Sequence, residues 1–491
     1  MTEGRGIFKA PLSVPLVIPL SRGAGPVFRQ VYAGLREAIL SGAFRAGDRF
    51  PSTRELAEQL GISRTSVLAA YDQLLAEGFV AGRAGSGTYV AEGLAAGASR
   101  RGGRPARLQL SHFGTAARGA LDLSIVPGRR PAPQRYDFSY WRSSVETFPF
   151  ELWRRMLLRH ARRASLRSLD YGPAAGSLAL REAIVAHLRR SRAVSADASQ
   201  VIVVNGSQQA LDLAARVLLD RGDAVVLENP HYQGARTVFQ AAGARLHAIG
   251  VDAEGLDPAR LPPRARLAFV TPSHQLPTGA ILPLARRLAL LQWARRAGAV
   301  ILEDDYDGEF RYHGQPLESM QGLDTQGRVI YLGTFSRTIF PALRIGYLIA
   351  PPSLVPVFTG AKLLSDRHTS TLEQETLAEF IAAGAYERHL RRARRLQARR
   401  REILLDALAR HLADRLSITG DASGTHLVVW PKGRVSERAL IARAARREVS
   451  VYGIAPYYLG RPTRAGLMLG YSRMPEADIR EGIRRLAEVL P

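Results

Sequence analysis

An α/β fold with a mostly parallel central sheet, a smaller carboxyl-terminal lobe and a separate helical domain at the amino terminus is predicted by three observations. From about residue 136, short apolar runs alternate with amphipathic segments, the pattern of a sheet covered on both faces. Residues 26–92 read as helix, helix, glycine turn, helix and hairpin. Between the two, residues 93–135 are rich in Gly, Ala, Pro and Arg without apolar periodicity, as expected of a basic flexible linker. At 491 residues the chain is also too long for one ordinary core.

The elements follow in order. Residues 1–25, rich in Pro, Gly and Ser, read as an extended arm. Val31, Leu35, Ala38 and Ile39 then recur at helical spacing until Ser41-Gly42. After the turn at Gly47 to Pro51, Ser52 and Glu55 form a capping box that opens a helix over 54–60, and Gly61 closes it. Ser63 begins a third helix over 64–77 with Val67, Tyr71, Leu74 and Leu75 facing inward. Strands at 79–83 and 88–90 flank Ala84-Gly85-Ser86-Gly87. That order is a winged helix-turn-helix, whose later helix enters the major groove of DNA.

In the second domain, helices are expected at 149–163 and 177–190. A strand at 201–204 runs into Asn205-Gly206-Ser207-Gln208-Gln209, which opens a helix over 210–219. Further buried strands are expected at 224–227, 267–270, 300–302 and 329–332. Beyond about residue 351 the chain is helical, with a late strand at 427–430. The stretch 387–401 carries eight arginines against Glu387, which reads as a solvated helix face.

In such sheets ligands bind at the carboxyl ends of the strands, and four loops there carry suggestive chemistry. Gly206-Ser207-Gln208 offers N–H groups and a hydroxyl at a helix start, suited to phosphate. Asn229-Pro230-His231-Tyr232 offers an aromatic ring. Glu303-Asp304-Asp305-Tyr306 offers carboxylates and a phenol. Gly333-Thr334-Phe335-Ser336 adds phosphate donors. Together they describe a site for a flat ring with one phosphate and one basic nitrogen. Arg337 follows the last loop; its guanidinium stays protonated and is not a useful amine nucleophile, so a Schiff base is not expected there.

The formal charge of +24 invites a nucleic-acid partner. Only Lys9, Lys362 and Lys432 are lysines among the 68 basic residues. The head is balanced, seven basic against seven acidic residues over 26–92, whereas residues 93–135 hold eight arginines against Asp122. The lack of cysteine excludes disulfides, thiol catalysis and cysteine-ligated metal, and no metal site is expected. No run approaches the roughly 20 apolar residues that span a bilayer, so a cytoplasmic protein without a membrane partner is expected.

Two resemblances sharpen this reading. PSTRELAEQLGISRTSVLAAYDQLLAEGFVAGRAGSGTYV resembles the GntR-type winged helix-turn-helix domain. The likeness implies double-stranded DNA as partner and contacts from Arg54, Ser63, Arg64, Thr65, Ser66, Arg83, Ser86 and Gly87. The motifs at 205–211, 274–279, 303–312 and 333–344 resemble the fold-type-I, pyridoxal-phosphate aminotransferase-like domain of the MocR regulators, and the head completes that architecture. By this resemblance Tyr232 stacks on the cofactor ring, Asp304 pairs with its nitrogen and Tyr306 meets its ring oxygen. Ser207, Gln208, Ser336 and Arg344 line the phosphate, and Tyr171 reaches the phosphate of a partner subunit in a homodimer. Three departures stand out. Arg337 occupies the position of the family's cofactor lysine, FSYWRSSVE lacks the family's Gly-x-Pro-Asp loop, and Arg464 is a loose match to the substrate-carboxylate arginine. The expectation is a DNA-binding transcriptional regulator that senses a small effector, a vitamin B6 phosphate or an amino-acid-related molecule. Pyridoxal 5'-phosphate or pyridoxamine phosphate, if bound, is held noncovalently, with no catalytic residue. The alternative is an active aminotransferase with an accessory DNA-binding head.

Overall fold

The computed structural model describes residues 18–21, 23, 25–83, 85–92, 109–121, 133–141, 144–164, 170–312, 314–315 and 317–490. Most of the expected arm and of the expected linker lies outside them, although Ile18 of the arm is buried in the core of the first unit. The chain forms two compact units, which meet in sequence at Gln109 and Leu110.

The first unit contains α1 (Val27–Leu40), α2 (Thr53–Leu60), α3 (Arg64–Ala76) and a hairpin of β1 (Val80–Arg83) and β2 (Gly87–Val90). The capping box forms: Ser52 Oγ accepts from Glu55 N, and the Glu55 carboxylate accepts from Ser52 N. Gly61 ends α2 in the left-handed conformation, at φ 64°. Val31, Leu35, Leu56, Val67, Ala70, Tyr71, Leu74, Val80 and Val90 share one core, and the Tyr71 hydroxyl is satisfied by Pro51 O at 2.8 Å. Ala70 takes the inward place expected of Leu75, which is exposed. The buried arc of α3 runs through residues 67, 70, 71 and 74, and residue 75 falls outside it at 100° per residue.

The second unit begins inside the expected linker. Residues His112–Ala120 form a helix, α4, capped by Ser111, and His112 Nδ1 lies 3.2 Å from Ala241 O. There follow β3 (Tyr136–Asp137), α5 (Phe150–Arg162), α6 (Leu178–Arg192), β4 (Val201–Val204), α7 (Ser207–Leu218), β5 (Ala224–Asn229), α8 (Gln233–Ala241), β6 (Arg245–Asp252), β7 (Gly255–Leu256), β8 (Leu267–Val270), α9 (Leu284–Ala297), β9 (Val300–Asp305), α10 (Met320–Leu323), β10 (Val329–Thr334) and β11 (Gly346–Ile349). Their eight-stranded sheet has the order β4-β11-β10-β9-β8-β5-β6-β7. It is parallel from β10 to β6, while β11 runs antiparallel to both its neighbours and β7 to β6. Because side chains alternate along a strand, Val201 and Val203 enter one apolar cluster and Ile202 and Val204 another, so both faces are covered.

The rest comprises α11 (Val355–Asp366), α12 (Thr371–Ala382), α13 (Ala385–Leu412), β12 (Leu416–Thr419), β13 (His426–Pro431), α14 (Glu437–Ala445), β14 (Val449–Ser450), β15 (Tyr452–Gly453), β16 (Leu467–Gly470) and α15 (Glu476–Ala487). An antiparallel sheet β12-β13-β16-β15 forms the smaller lobe, and β3 pairs with β14. The arginine-rich helix is not simply a solvated face. Arg400 and Arg401 are buried: Arg400 bonds Ser472 O and Glu146, and Arg401 bonds Asp421 O. Arg394 Nε donates to Glu309 O at 2.6 Å. Long side chains on this helix reach carbonyls in other elements, which a count of charges along the helix does not reveal.

Candidate functional sites

The carboxyl ends of β4, β5, β8, β9 and β10 lie on one edge of the sheet and supply the loops of a pocket. At its phosphate-suited end, Gly206 has φ 80° and caps α7, leaving the first N–H groups of a 12-residue helix open. Arg344, itself at φ 53°, lays its guanidinium over this turn: Nη2 donates to Asn205 O at 2.7 Å, and a Cβ on Gly206 would lie 3.1 Å from it. Helix N-terminus and guanidinium together favour an anion. Ser207 is the first residue of α7, and Gln208 Oε1 approaches Tyr232 closely enough that a Cβ on Gly234 would meet both, at 2.7 and 2.6 Å. Ser336 N donates to Thr334 Oγ1 at 3.1 Å, which folds the β10 loop.

Along β9 the side chains alternate. Glu303 and Asp305 face one way. Glu303 accepts from the N–H groups of Met320 and Gln321, and Asp305 accepts from Arg192 and Tyr331, both at 2.6 Å. Asp304 faces the other way, buried, with Oδ1 free of any partner. Burial, and then repulsion from Asp305 and Asp307, push its carboxyl up to about 7, against the pull of Arg337. A ring nitrogen that brings its own proton would relieve this carboxylate. Tyr232 packs against an aromatic cluster of Tyr140, Tyr306, Trp430, Tyr457 and Tyr458.

Tyr306 is held by residues whose role local sequence did not reveal. Its hydroxyl lies 3.0 Å from His274 Nδ1, which is 3.2 Å from each oxygen of Asp307. The His426 ring lies 4.9 Å from His274, tilted at 57° to it, and donates through Nε2 to Pro277 O. His274 and Asp307 stand in motifs noted above, whereas His426 comes from the distant lobe and has no local signal. Arg337 is half-buried, with its guanidinium 5.3 Å from the ring of Tyr140 and 5.7 Å from that of Tyr306; one N–H donates to Tyr140 O.

Tyr171, expected to reach the phosphate of a partner subunit, is 73% exposed, with the Arg367 guanidinium 4.7 Å from its ring. One expected residue is not brought into this pocket. Arg464 stacks on Trp430 at 5.0 Å, donates to Ser417 Oγ and lines a surface groove with Lys432, Arg434 and Arg461, apart from Asp304. The loop expected to replace Gly-x-Pro-Asp includes residues 142 and 143, which lie outside the described residues.

In the first unit Arg64 and Thr65 open α3 on its exposed side, and Arg64 Nε donates to Thr53 Oγ1 at 3.3 Å. Ser63 is the N-cap, accepting from Ser66 N, and its hydroxyl lies 2.9 Å from that of Ser66. Arg54 pairs with Glu58. In the wing, Arg83 pairs with Glu92 and lies over Tyr89, Ser86 Oγ is 2.6 Å from Tyr89 Oη, and Gly87 has φ 117°. Arg49, not anticipated from sequence, lies beside the wing: a Cβ on Gly87 would come 3.2 Å from its Nε.

A winged helix-turn-helix unit joined in one chain to a sheet of this topology, with an anion cup and an open buried carboxylate, defines a class: regulators built on an aminotransferase-like domain. Comparison with known proteins agrees. Residues 28–90 match the gntR family of bacterial regulatory proteins, and residues 145–486 match aminotransferase class I and II. The probable rhizopine catabolism regulatory protein MocR of Rhizobium meliloti is 40% identical over 94% of this chain and 93% of its own length. The HTH-type transcriptional regulator TauR of Rhodobacter capsulatus is 35% identical, over 95% and 97%. Among solved structures, a Pyrococcus horikoshii kynurenine aminotransferase in complex with PMP superposes with a TM-score of 0.70 at 28% identity, covering 77% of this chain and 98% of that one. The chain belongs to the MocR-type regulators, in which a GntR head precedes an aminotransferase-like domain. Among the described residues no helix is long and apolar enough to cross a membrane.

Proposed function

We propose that this protein is a DNA-binding transcriptional regulator whose aminotransferase-like unit senses a small ligand, a vitamin B6 phosphate or an amino-acid-related molecule, without turning it over. The observation that carries this reading is a pocket with an anion cup at Gly206 and Arg344 and an unpartnered carboxylate at Asp304, but a guanidinium, Arg337, beside Tyr306. Pyridoxal or pyridoxamine phosphate would be held by Ser207, Gln208, Ser336 and Arg344 at the phosphate, Tyr232 on the ring face, Asp304 at the ring nitrogen and Tyr306 at the ring oxygen. When bound, such a group supplies an electron-withdrawing ring that Asp304 sustains. Arg337 stands where the family carries its lysine and offers no amine for covalent attachment, so binding is noncovalent. Its guanidinium suits instead a carboxylate or a second phosphate on the effector. Control of DNA binding then requires that the effector prefer one of two conformations of a homodimer, which shifts their populations. Two heads in a dimer would read two half-sites.

The test is fluorescence anisotropy of the full chain on DNA from upstream of its own gene, with and without pyridoxal phosphate and amino acids. Sequence-specific binding that changes with ligand is expected; no specific binding under any condition sinks the proposal. An active aminotransferase with an accessory head is the competing reading, favoured by the likeness to kynurenine aminotransferase. It requires a borohydride-reducible covalent adduct in the wild-type protein.

A further inference from the structure

The exposed side of α3 carries two apolar residues, Leu68 and Leu75, two turns apart. At 100° per residue, Arg64, Leu75, Leu68, Asp72 and Thr65 fall on one arc of about 100°, beside the arc of similar width that holds Val67, Ala70, Tyr71 and Leu74 in the core. Leu68 lies mid-arc, one turn beyond Arg64, and is 47% exposed. Arg64, Thr65 and Asp72 surround it one turn away and Leu75 is two turns on, so it is not the centre of an apolar patch of the size that docks another protein. Arg64 on the same arc reaches Thr53 Oγ1 at the start of α2, next in sequence to Arg54, so two guanidinium groups meet near this arc.

From this we infer that Leu68 is a specificity-determining residue that packs on the 5-methyl group of a thymine in the major groove. The inference goes beyond the regulator reading and rests on it. The winged motif directs the amino-terminal turns of its later helix at base edges. In the major groove every base presents donors or acceptors, and the thymine methyl is the one large apolar group among them, so it is the natural partner for a branched aliphatic side chain. Leucine also offers no hydrogen bond, so at this position it discriminates through the methyl group alone.

The experiment selects sequences bound by the full-length protein from a random DNA pool, then replaces each thymine of the selected site by uracil, which deletes only the methyl. Wild-type protein is expected to lose about fourfold in affinity at one thymine of the half-site, the factor for one buried methyl-sized group. Leu68→Ala should lose a similar factor on thymine DNA and be indifferent to uracil at that position. Circular dichroism checks that the variant is folded, and the exposed site makes it tolerant. Uniform indifference of the wild type to uracil overturns the inference, as does an unchanged uracil effect in Leu68→Ala. A pool from which nothing is enriched overturns the regulator reading, and this inference with it.

Discussion

The guanidinium of Arg337 lies 5.7 Å from the ring centroid of Tyr306, close enough for a cation–π contact, and donates to the carbonyl oxygen of Tyr140. A permanent cation therefore borders the pocket beside the phenol that, in the proposed function, would meet the cofactor's ring oxygen.

On this ground, incubation with pyridoxal phosphate and borohydride should leave the mass of the wild-type protein unchanged. Arg337→Lys should gain one reduced phosphopyridoxyl group. Intact-protein mass spectrometry decides, and an adduct on the wild type would restore the enzymatic reading.

The phosphate cup gives a separate prediction. Arg344→Ala should weaken pyridoxal phosphate by tenfold or more, about 1.4 kcal/mol or above, while leaving the affinity for unphosphorylated pyridoxal within twofold. Equal losses for both ligands would place the phosphate elsewhere. Gly206→Ala should act in the same direction, since its methyl would meet the Arg344 guanidinium and the backbone sits at φ 80°.

Asp304 makes stability depend on pH. In the ligand-free fold its carboxyl holds a proton up to about 7, whereas the unfolded chain releases it near the ordinary value of about 4. The contribution of this group is therefore fully present below about pH 4 and is lost as pH rises through 7, at about 1.4 kcal/mol per unit. Asp304→Asn lacks this loss, so its melting temperature should rise relative to wild type between pH 5 and pH 8. Parallel melting curves against pH would refute the assignment. The same variant should bind the B6 phosphates more weakly.

Behind the pocket, Arg192 and Asp305 form a buried ion pair of 2.6 Å, supported by Tyr331 and by Ser273 Oγ, also at 2.6 Å from Arg192. Asp305→Ala leaves a buried guanidinium without its carboxylate and should cost about 3–5 kcal/mol in a denaturant titration. The double change Arg192→Met with Asp305→Leu should recover most of it. A cost below about 1 kcal/mol for the single change would show that water reaches the pair.

In the head, Arg64→Ala should lower DNA affinity at every sequence and reduce the slope of log affinity against log salt by about one, as for loss of a single phosphate contact. A loss confined to one base position would instead make Arg64 a base reader. Ser52→Ala should destabilise the head by about 1 kcal/mol by removing its capping box.

Local chemistry is enough to place much of this protein. Periodicity locates β4 and β8 to the residue, Ser52 with Glu55 announces α2, and the four loops hold Ser207, Tyr232, the pair Asp304 and Asp305, and Ser336, whereas Arg344 and the separate roles come only with the family resemblance. Each of those signals lies within a few residues, where backbone geometry alone couples position to neighbour. Packing decides the rest. Leu75 has the right composition for the core, but the pitch of α3 gives that place to Ala70. Arg400 and Arg401 look solvated in a run of charges and are buried because carbonyls from remote segments meet them. The His274, Asp307 and His426 cluster joins two loops to the start of a strand more than 100 residues further on, and whether Asp304 or Asp305 faces the pocket depends on which side of β9 meets Arg192. Hydrogen bonds and burial of this kind are set by distances across the fold, and sequence spacing carries no record of them.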